Sequence, residues 1–294
     1  MTSITHYRPR RSCLYMPGAN ARALEKAASL PADTLILDLE DAVAPDAKEQ
    51  ARSVVMETVS SRPYGNREVI IRINGLNTPW GYDDLAMAAK AGADGILVPK
   101  VISAEQVGEL DTALSRADAA AEMGLWVMIE MPMAILNISD IAAASQTSRL
   151  SGFVMGTNDL AKEMNAIATA DRAAFQVALA LTLTAARAYG LVAVDGVFND
   201  FRDEPGLIAE CQQGRMMGFD GKTLIHPAQL EATNRVYSPD PAEVAEARPI
   251  IEAFLLPENA GKGVIKLEGK MVELLHLEQA KRLVAIDAMQ SALS

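Results

Sequence analysis

Residues 68–100, EVIIRINGLNTPWGYDDLAMAAKAGADGILVPK, carry the pattern that decides the fold. An apolar run over 68–74 is followed by an alanine-rich segment over 79–91, and a second apolar run covers 95–101. Short apolar runs are typical of strands buried on both faces, and the longer segment between them is typical of a helix. The stretch therefore predicts two parallel strands joined by a right-handed helical crossover.

The same unit recurs along the chain. We predict eight strands, at residues 12–17, 34–40, 68–74, 95–101, 125–132, 150–157, 191–198 and 221–226. Clear helices are predicted at 19–29, 46–60, 79–91 and 103–123, with Asn20 and Ser103 as caps. Eight alternating units close most simply as a (β/α)₈ TIM barrel. An open doubly wound sheet is the alternative, although no G-x-G-x-x-G fingerprint follows the first strand.

The predicted barrel domain covers residues 1–237, and a C-terminal extension covers 238–294. Within the extension we predict a helix at 242–256, a hairpin over 264–274 and a final helix at 277–289. Such a segment is too short for an independent domain of ordinary size. We interpret it as a lid or an oligomerisation element.

Composition limits the possible functions. The chain has 294 residues, half of them apolar, and its 27 basic and 38 acidic side chains give a net charge of −11. A large core is therefore expected, and a general nucleic-acid binder is not. Two cysteines, Cys13 and Cys211, are too few for a disulfide framework or a cysteine zinc site. With no apolar run of about 18 residues, we expect a cytoplasmic protein without a membrane partner.

Polar residues recur where the predicted strands end, which is the edge where barrel enzymes place their reactive groups. They are Asp38, Glu40 and Asp41, Arg72 and Asn74, Lys100, Glu130, Asp159, Asp195, and His226. Polar residues begin at the end of any strand, but their repetition on so many strands favours a shared polar mouth. We interpret His226, which precedes Pro227, as a structural residue rather than as a base.

Two features of this mouth point to specific chemistry. Glu130 and Asp159 end neighbouring strands without histidine or cysteine partners, which suits a hard cation such as Mg²⁺. Alternatively, each carboxylate caps a helix or pairs with Arg72. Arg72 interrupts a buried strand and therefore needs a partner. It is either a structural ion pair with Asp38 or Glu40 or a fixed cation facing an oxyanion, and both roles can coexist.

The order of short motifs resembles the citrate lyase β-subunit-like proteins of the HpcH/HpaI aldolase family. The motifs are LYMPG (14–18), LILDLEDAV (35–43), IRIN (71–74), ILVPK (96–100), IE (129–130), GTNDL (156–160) and GKTLIHP (221–227). The resemblance covers nearly the whole chain. It implies a (β/α)₈ barrel with Mg²⁺ that cleaves a C–C bond next to a CoA thioester.

The resemblance also implies roles for residues in the barrel. Glu130 and Asp159 match the metal carboxylates, and Arg72 matches the catalytic arginine. The acidic cluster of Asp38, Glu40 and Asp41 matches positions that order Arg72 and metal-bound water.

Positions outside the mouth also match the family. Arg22 and Lys26 resemble positions that hold CoA phosphates, although a solvated helix face is the simpler interpretation. Glu273 occupies a position where CoA-lyase relatives carry an aspartate that a neighbouring subunit supplies for acid–base chemistry. Glutamate there retains that role, shifts the balance against hydrolysis, or is only a strand residue. We expect a retained role, and hence a homotrimer or homohexamer.

The family implies a CoA-ester lyase that cleaves malyl-CoA or citramalyl-CoA to acetyl-CoA and a 2-keto acid. The alternatives are a citrate lyase β subunit acting on an acyl-carrier-protein thioester, a hydroxymethylglutaryl-CoA lyase-type activity and a non-catalytic acyl-CoA-binding barrel. Met131, Met133, Val154 and Met155 are candidates for the acyl pocket, but strand alternation alone leaves open which of them point inward.

Overall fold

The computed structural model describes residues 8–293. The chain divides into two compact units, one formed by Arg10–Tyr237 and the other containing Ser238–Ser294. The predicted barrel domain also included residues 1–7, which lie outside the described residues.

The first unit is a closed barrel of eight parallel strands, which confirms the predicted fold. The strands are β1 (Ser12–Pro17), β2 (Thr34–Asp38), β3 (Glu68–Arg72), β4 (Gly95–Val98), β5 (Gly124–Ile129), β6 (Leu150–Met155), β7 (Val192–Asp195) and β8 (Gly221–Leu224). β1 pairs with β2 on one side and with β8 on the other, so that no strand edge is left open. The alternative of an open sheet is therefore wrong.

Helices connect the strands and surround them. They are α1 (Ala21–Ala27), α2 (Lys48–Ser60), α3 (Gly81–Ala91), α4 (Ala104–Arg116), α5 (Pro132–Leu136), α6 (Ile138–Ala143), α7 (Thr157–Met164), α8 (Gln176–Tyr189), α9 (Glu204–Met217) and α10 (Leu230–Tyr237). The predicted caps are present, since Asn20 accepts the Ala23 N–H and Ser103 accepts the Gln106 N–H.

The apolar residues of the barrel form two clusters. The inner cluster contains Cys13, Ile36, Ile70, Leu97, Trp126, Met128, Val154 and Val194, with Tyr15 and Val192 packed against it. The larger cluster contains the apolar residues of the helices and the alternate strand residues. Of the four acyl-pocket candidates, Val154 belongs to the inner cluster. Met155 belongs to the larger cluster, Met131 packs against that cluster, and Met133 is exposed on α5.

The second unit contains a helix, a hairpin and a long terminal helix. They are α11 (Pro241–Leu255), β9 (Val264–Leu267), β10 (Lys270–Glu273) and α12 (Leu274–Leu293). Asp240 caps α11 by accepting the Ala242 N–H at 2.8 Å. Among residues 8–293, no helix combines the length and apolarity that a membrane crossing requires.

Candidate active site

Arg72 is held rigidly at the end of β3. It is paired in register with Asp38 of β2, and its Nε and Nη2 donate to the two carboxylate oxygens of Asp38 at 2.7 and 2.6 Å. Both side chains are almost completely buried, and the guanidinium lies 4.7 Å above the Tyr15 ring. A bidentate pair of this kind fixes the plane as well as the position of the guanidinium. One interpretation of Arg72, a structural ion pair, is therefore present in the structure.

Glu40 lies between two cations. Its Oε2 is 2.8 Å from Arg72 Nη1, and its Oε1 is 3.0 Å from Lys100 Nζ. Burial raises the pKa of Glu40, although the Arg72 charge opposes that shift. Asp41 is exposed, and its carboxylate is 3.6 Å from Arg72 Nη1. The three carboxylates predicted as an acidic cluster thus meet around one guanidinium.

A buried polar network supports this cluster from behind. Lys48 Nζ donates to the carbonyl oxygens of Leu39 and Glu40 at 2.8 and 2.6 Å. Asn74 Nδ2 donates to the same Leu39 oxygen at 2.9 Å and to Asp84 at 2.6 Å. The loop after β2 is therefore bonded to α2 and to the loop after β3, which fixes the direction in which the acidic residues point.

Glu130 is a buried carboxylate with few partners. It is 1% exposed, and its Oε1 accepts the backbone N–H of Lys100 at 2.8 Å. Burial raises the pKa of Glu130 to about 8, and the nearby charges of Glu40 and Asp159 add to the shift. Gly156 leaves the space that this side chain needs, because a Cβ there would lie 2.5 Å from Glu130 Oε2. Burial and the neighbouring negative charges disfavour the ionised form of Glu130, and a bound cation would stabilise that form.

Asp159 lies in the first turn of α7, and its negative charge contributes to the raised pKa of Glu130. It has no hydrogen bond or ion pair within the described part of the chain, and neither it nor Glu130 pairs there with Arg72. The preceding residue, Asn158, exchanges amide hydrogen bonds of 3.0 and 2.8 Å with Asn199 of the loop after β7. The alternative in which Glu130 and Asp159 are partners of Arg72 is therefore wrong.

The donor set fits Mg²⁺. Within residues 8–293, no group of three or more His, Cys, Asp or Glu side chains is arranged to hold a metal. Mg²⁺ does not need such a group, because it commonly binds one or two carboxylates and completes its shell with water and substrate oxygens. Glu130 and Asp159 supply two carboxylates, and the carboxyl groups in this mouth outnumber the cations Arg72 and Lys100.

Some predicted site residues lie elsewhere. Asp195 pairs with Arg172 and Lys222 in a separate buried network rather than with the Arg72 cluster. His226 accepts the Ala228 N–H at 3.1 Å and stacks on Phe201, which agrees with a structural role.

The other predicted positions are on exposed surfaces. Arg22 and Lys26 are exposed on α1. Glu273 is exposed at the end of β10 in the second unit, where its backbone N–H donates to His276 Nδ1 at 3.0 Å. Arg22 and Lys26 make no described contact with the Arg72 cluster.

Sequence reasoning assigned no individual role to three residues that shape the site, Tyr15, Gly156 and Lys100, although it placed Lys100 in the polar mouth. Tyr15 is the platform under Arg72, and its hydroxyl is buried without a hydrogen-bond partner among the described residues. Gly156 and Lys100 both constrain Glu130. The position of Lys100 just after β4 was a sequence feature that could have indicated its role. Tyr15 lay in a motif without a polar neighbour, so no sequence feature indicated a functional role.

Comparison with known proteins gives consistent results. The model of the HpcH/HpaI aldolase/citrate lyase family matches residues 11–227. A (3S)-malyl-CoA thioesterase of Cereibacter sphaeroides is 51% identical over 94% of each chain. The citrate lyase subunit beta of Escherichia coli is 35% identical over 93% of this chain and 92% of its own. The structure of CitE from Mycobacterium tuberculosis in complex with magnesium, acetoacetate and coenzyme A has a TM-score of 0.75 at 28% identity, covering 95% of this chain and 98% of that one.

Proposed function

The chain belongs to the HpcH/HpaI aldolase/citrate lyase family, and on this premise we propose that it is a Mg²⁺-dependent enzyme acting on malyl-CoA-type thioesters. One observation carries the proposal. A buried guanidinium fixed by Asp38 shares its mouth with a buried carboxylate, Glu130, whose one hydrogen bond among the described residues comes from the backbone N–H of Lys100. Glu130 and Asp159 would hold the metal.

The first candidate reaction is cleavage of the C–C bond next to the thioester, which yields acetyl-CoA and a 2-keto acid. Mg²⁺, when bound, supplies a Lewis acid for the carboxylate and hydroxyl oxygens of the substrate. Bond cleavage moves negative charge onto the thioester oxygen, and Arg72 is the cation fixed in advance to stabilise it. Because Asp38 holds the guanidinium through two hydrogen bonds, little reorganisation is needed when that charge develops.

The second candidate is hydrolysis of the thioester bond. The 51% identity to a (3S)-malyl-CoA thioesterase over nearly the whole chain favours it. The same substrate and the same fixed cation serve both reactions, since hydrolysis also places charge on the thioester oxygen. The difference lies in whether water reaches the thioester carbon. We propose that Glu273 acts as the acid–base group in either case.

Binding of the CoA part is assigned to α1. We propose that Arg22 and Lys26 contact CoA phosphates, since both are exposed cations on one helix. We also propose that the extension 238–294 acts as a lid within a homotrimer or homohexamer.

A product analysis tests this function. Purified protein would be given (3S)-malyl-CoA, citramalyl-CoA and hydroxymethylglutaryl-CoA separately, with Mg²⁺ or with EDTA. Lyase activity releases acetyl-CoA and a keto acid, whereas hydrolysis releases free CoA thiol and the hydroxy acid.

The controls separate the remaining alternatives. Arg72→Lys retains a positive charge but not the bidentate contact with Asp38. This variant should therefore lose both C–C bond cleavage and thioester hydrolysis. Turnover only on an acyl-carrier-protein thioester would move the assignment to a citrate lyase β subunit, the name that the 35% identical relative carries. A folded protein that binds acyl-CoA and Mg²⁺ without any turnover would contradict an enzymatic function.

A further inference from the structure

Lys100 has an unusual backbone conformation. Its φ is +57°, in the left-handed region that a residue with a side chain adopts only at a cost in energy. It is the second residue after β4, in the mouth of the barrel. In this conformation its backbone N–H donates to Glu130 Oε1 at 2.8 Å. Strained residues of this kind are concentrated at functional sites, where the surrounding structure holds them.

The Lys100 side chain offers an accessible positive charge. It is 44% exposed, whereas the Arg72 side chain is 9% exposed and bonded to two buried carboxylates. Its described contacts use one of the three N–H donors of the ammonium, in the 3.0 Å bond to Glu40 Oε1. An incoming anion can therefore reach Lys100 without breaking the Arg72–Asp38 pair.

Charge and space at Lys100 also suit an anionic ligand. The Lys100 ammonium is 3.0 Å from Glu40 Oε1, and a lysine paired with a carboxylate in this way is positively charged at neutral pH. Lys100 also lines a cavity of about 260 Å³ together with Asn77, Tyr82, Gln106 and Glu109. The ammonium is thus bonded to Glu40, and the residue also borders an open space.

We propose that Lys100 is a substrate-binding residue whose ammonium binds the carboxylate of the hydroxy-acid or keto-acid part of the substrate. Its backbone N–H has the separate task of positioning Glu130. The chemical class of the ligand rests on the proposed function, while the binding of a small carboxylate by Lys100 is testable without turnover.

Glycine substitution separates the two tasks. Lys100→Gly removes the ammonium but keeps the backbone N–H, and glycine adopts a positive φ without strain. The matched control is Asp118→Gly, because Asp118 also has a left-handed φ of +58° and is exposed after α4. Both variants should fold at least as well as the wild type, which thermal unfolding would verify.

The readout is binding of pyruvate to the Mg²⁺-loaded proteins, measured by calorimetry, with Mg²⁺ affinity measured separately. Loss of a hydrogen bond to a charged group predicts at least about tenfold weaker pyruvate binding in Lys100→Gly. Mg²⁺ affinity should not fall, because the backbone N–H that positions Glu130 is kept and a nearby positive charge is removed. Asp118→Gly should match the wild type in both measurements.

Three results would overturn this inference: unchanged pyruvate binding in Lys100→Gly, loss of Mg²⁺ affinity in the same variant, or a wild-type protein that binds Mg²⁺ but not pyruvate. The proposed function is judged separately, by whether the wild type turns over a malyl-CoA-type thioester. A wild type that is active while Lys100→Gly binds pyruvate normally would refute only the role of Lys100.

Discussion

Gly156→Ala is a small change that should damage metal binding far more than folding. The added Cβ would lie 2.4 Å from Glu130 Cβ and 2.5 Å from its Oε2, whereas ordinary contacts begin at 3.4 Å. Because Glu130 Cβ is fixed to the backbone, rotation of the side chain does not relieve this contact, and the backbone at Glu130 or at residue 156 must shift by about 1 Å. The backbone does not oppose alanine, because φ at Gly156 is −105°.

The magnitude follows from the ligand requirements of Mg²⁺, which tolerates little departure from octahedral geometry. A displacement of about 1 Å at a reacting centre costs roughly 10²-fold in rate, and we expect a loss of similar size in Mg²⁺ affinity. Overpacking costs about 1–3 kcal/mol of folding free energy, within the ~5–15 kcal/mol available to a typical domain. The variant should therefore be folded but weak in metal binding.

Calorimetric titration with Mg²⁺, together with thermal unfolding, checks this expectation. Gly108→Ala is the matched control, since Gly108 lies within α4 and its added Cβ would meet nothing within 4 Å. That control should bind Mg²⁺ as the wild type does. If Gly156→Ala is equally stable and binds Mg²⁺ with wild-type affinity, then Glu130 is not a metal ligand in the observed geometry.

Three further predictions concern the charged residues. Arg72→Lys should lower kcat by roughly 10²–10³-fold, because lysine cannot reproduce the bidentate contact with Asp38; steady-state kinetics with a wild-type rate would contradict its role. Burial raises the pKa of Glu130 to about 8. Between the ordinary pKa of a glutamate and about pH 8, the folded protein therefore keeps a proton on Glu130 that the unfolded chain has lost. The free energy of unfolding of the metal-free protein should therefore fall as the pH rises toward about 8, and Glu130→Gln should reduce this slope in denaturant titrations; an equal slope in both proteins would refute the assignment. Glu273→Ala should lower kcat by roughly 10²–10⁴-fold with little change in KM, and Glu273→Asp should retain activity; an unaffected Glu273→Ala would leave this residue as part of the hairpin only.

The fold was predictable because its determinants are periodic. Eight apolar runs alternate with helical segments, and β1 has the predicted bounds, Ser12–Pro17. The ends of later strands were predicted two or more residues too far, as at Glu40 and Asn74. There the apolar pattern continues, but the Leu39 carbonyl accepts side-chain donors from Lys48 and Asn74. Side-chain capture of a backbone carbonyl leaves no periodic trace in the sequence.

The site was predictable only as far as residue type and strand position determine it. Arg72, Asp38 and Glu40 meet because neighbouring parallel strands end side by side. Asp195 also ends a strand but pairs with Lys222 instead. The left-handed backbone of Lys100 could not be inferred, because lysine carries no preference for that conformation.

We propose that Glu130 and Asp159 form a metal centre in the same mouth as Arg72. Crystals of the protein loaded with Mn²⁺, in place of Mg²⁺, would reveal the ion by its anomalous scattering. We expect one strong peak within direct coordination distance of carboxylate oxygens from both Glu130 and Asp159, and its loss in Glu130→Gln. A peak at other residues, or none in a protein that Mn²⁺ activates, would contradict the claim.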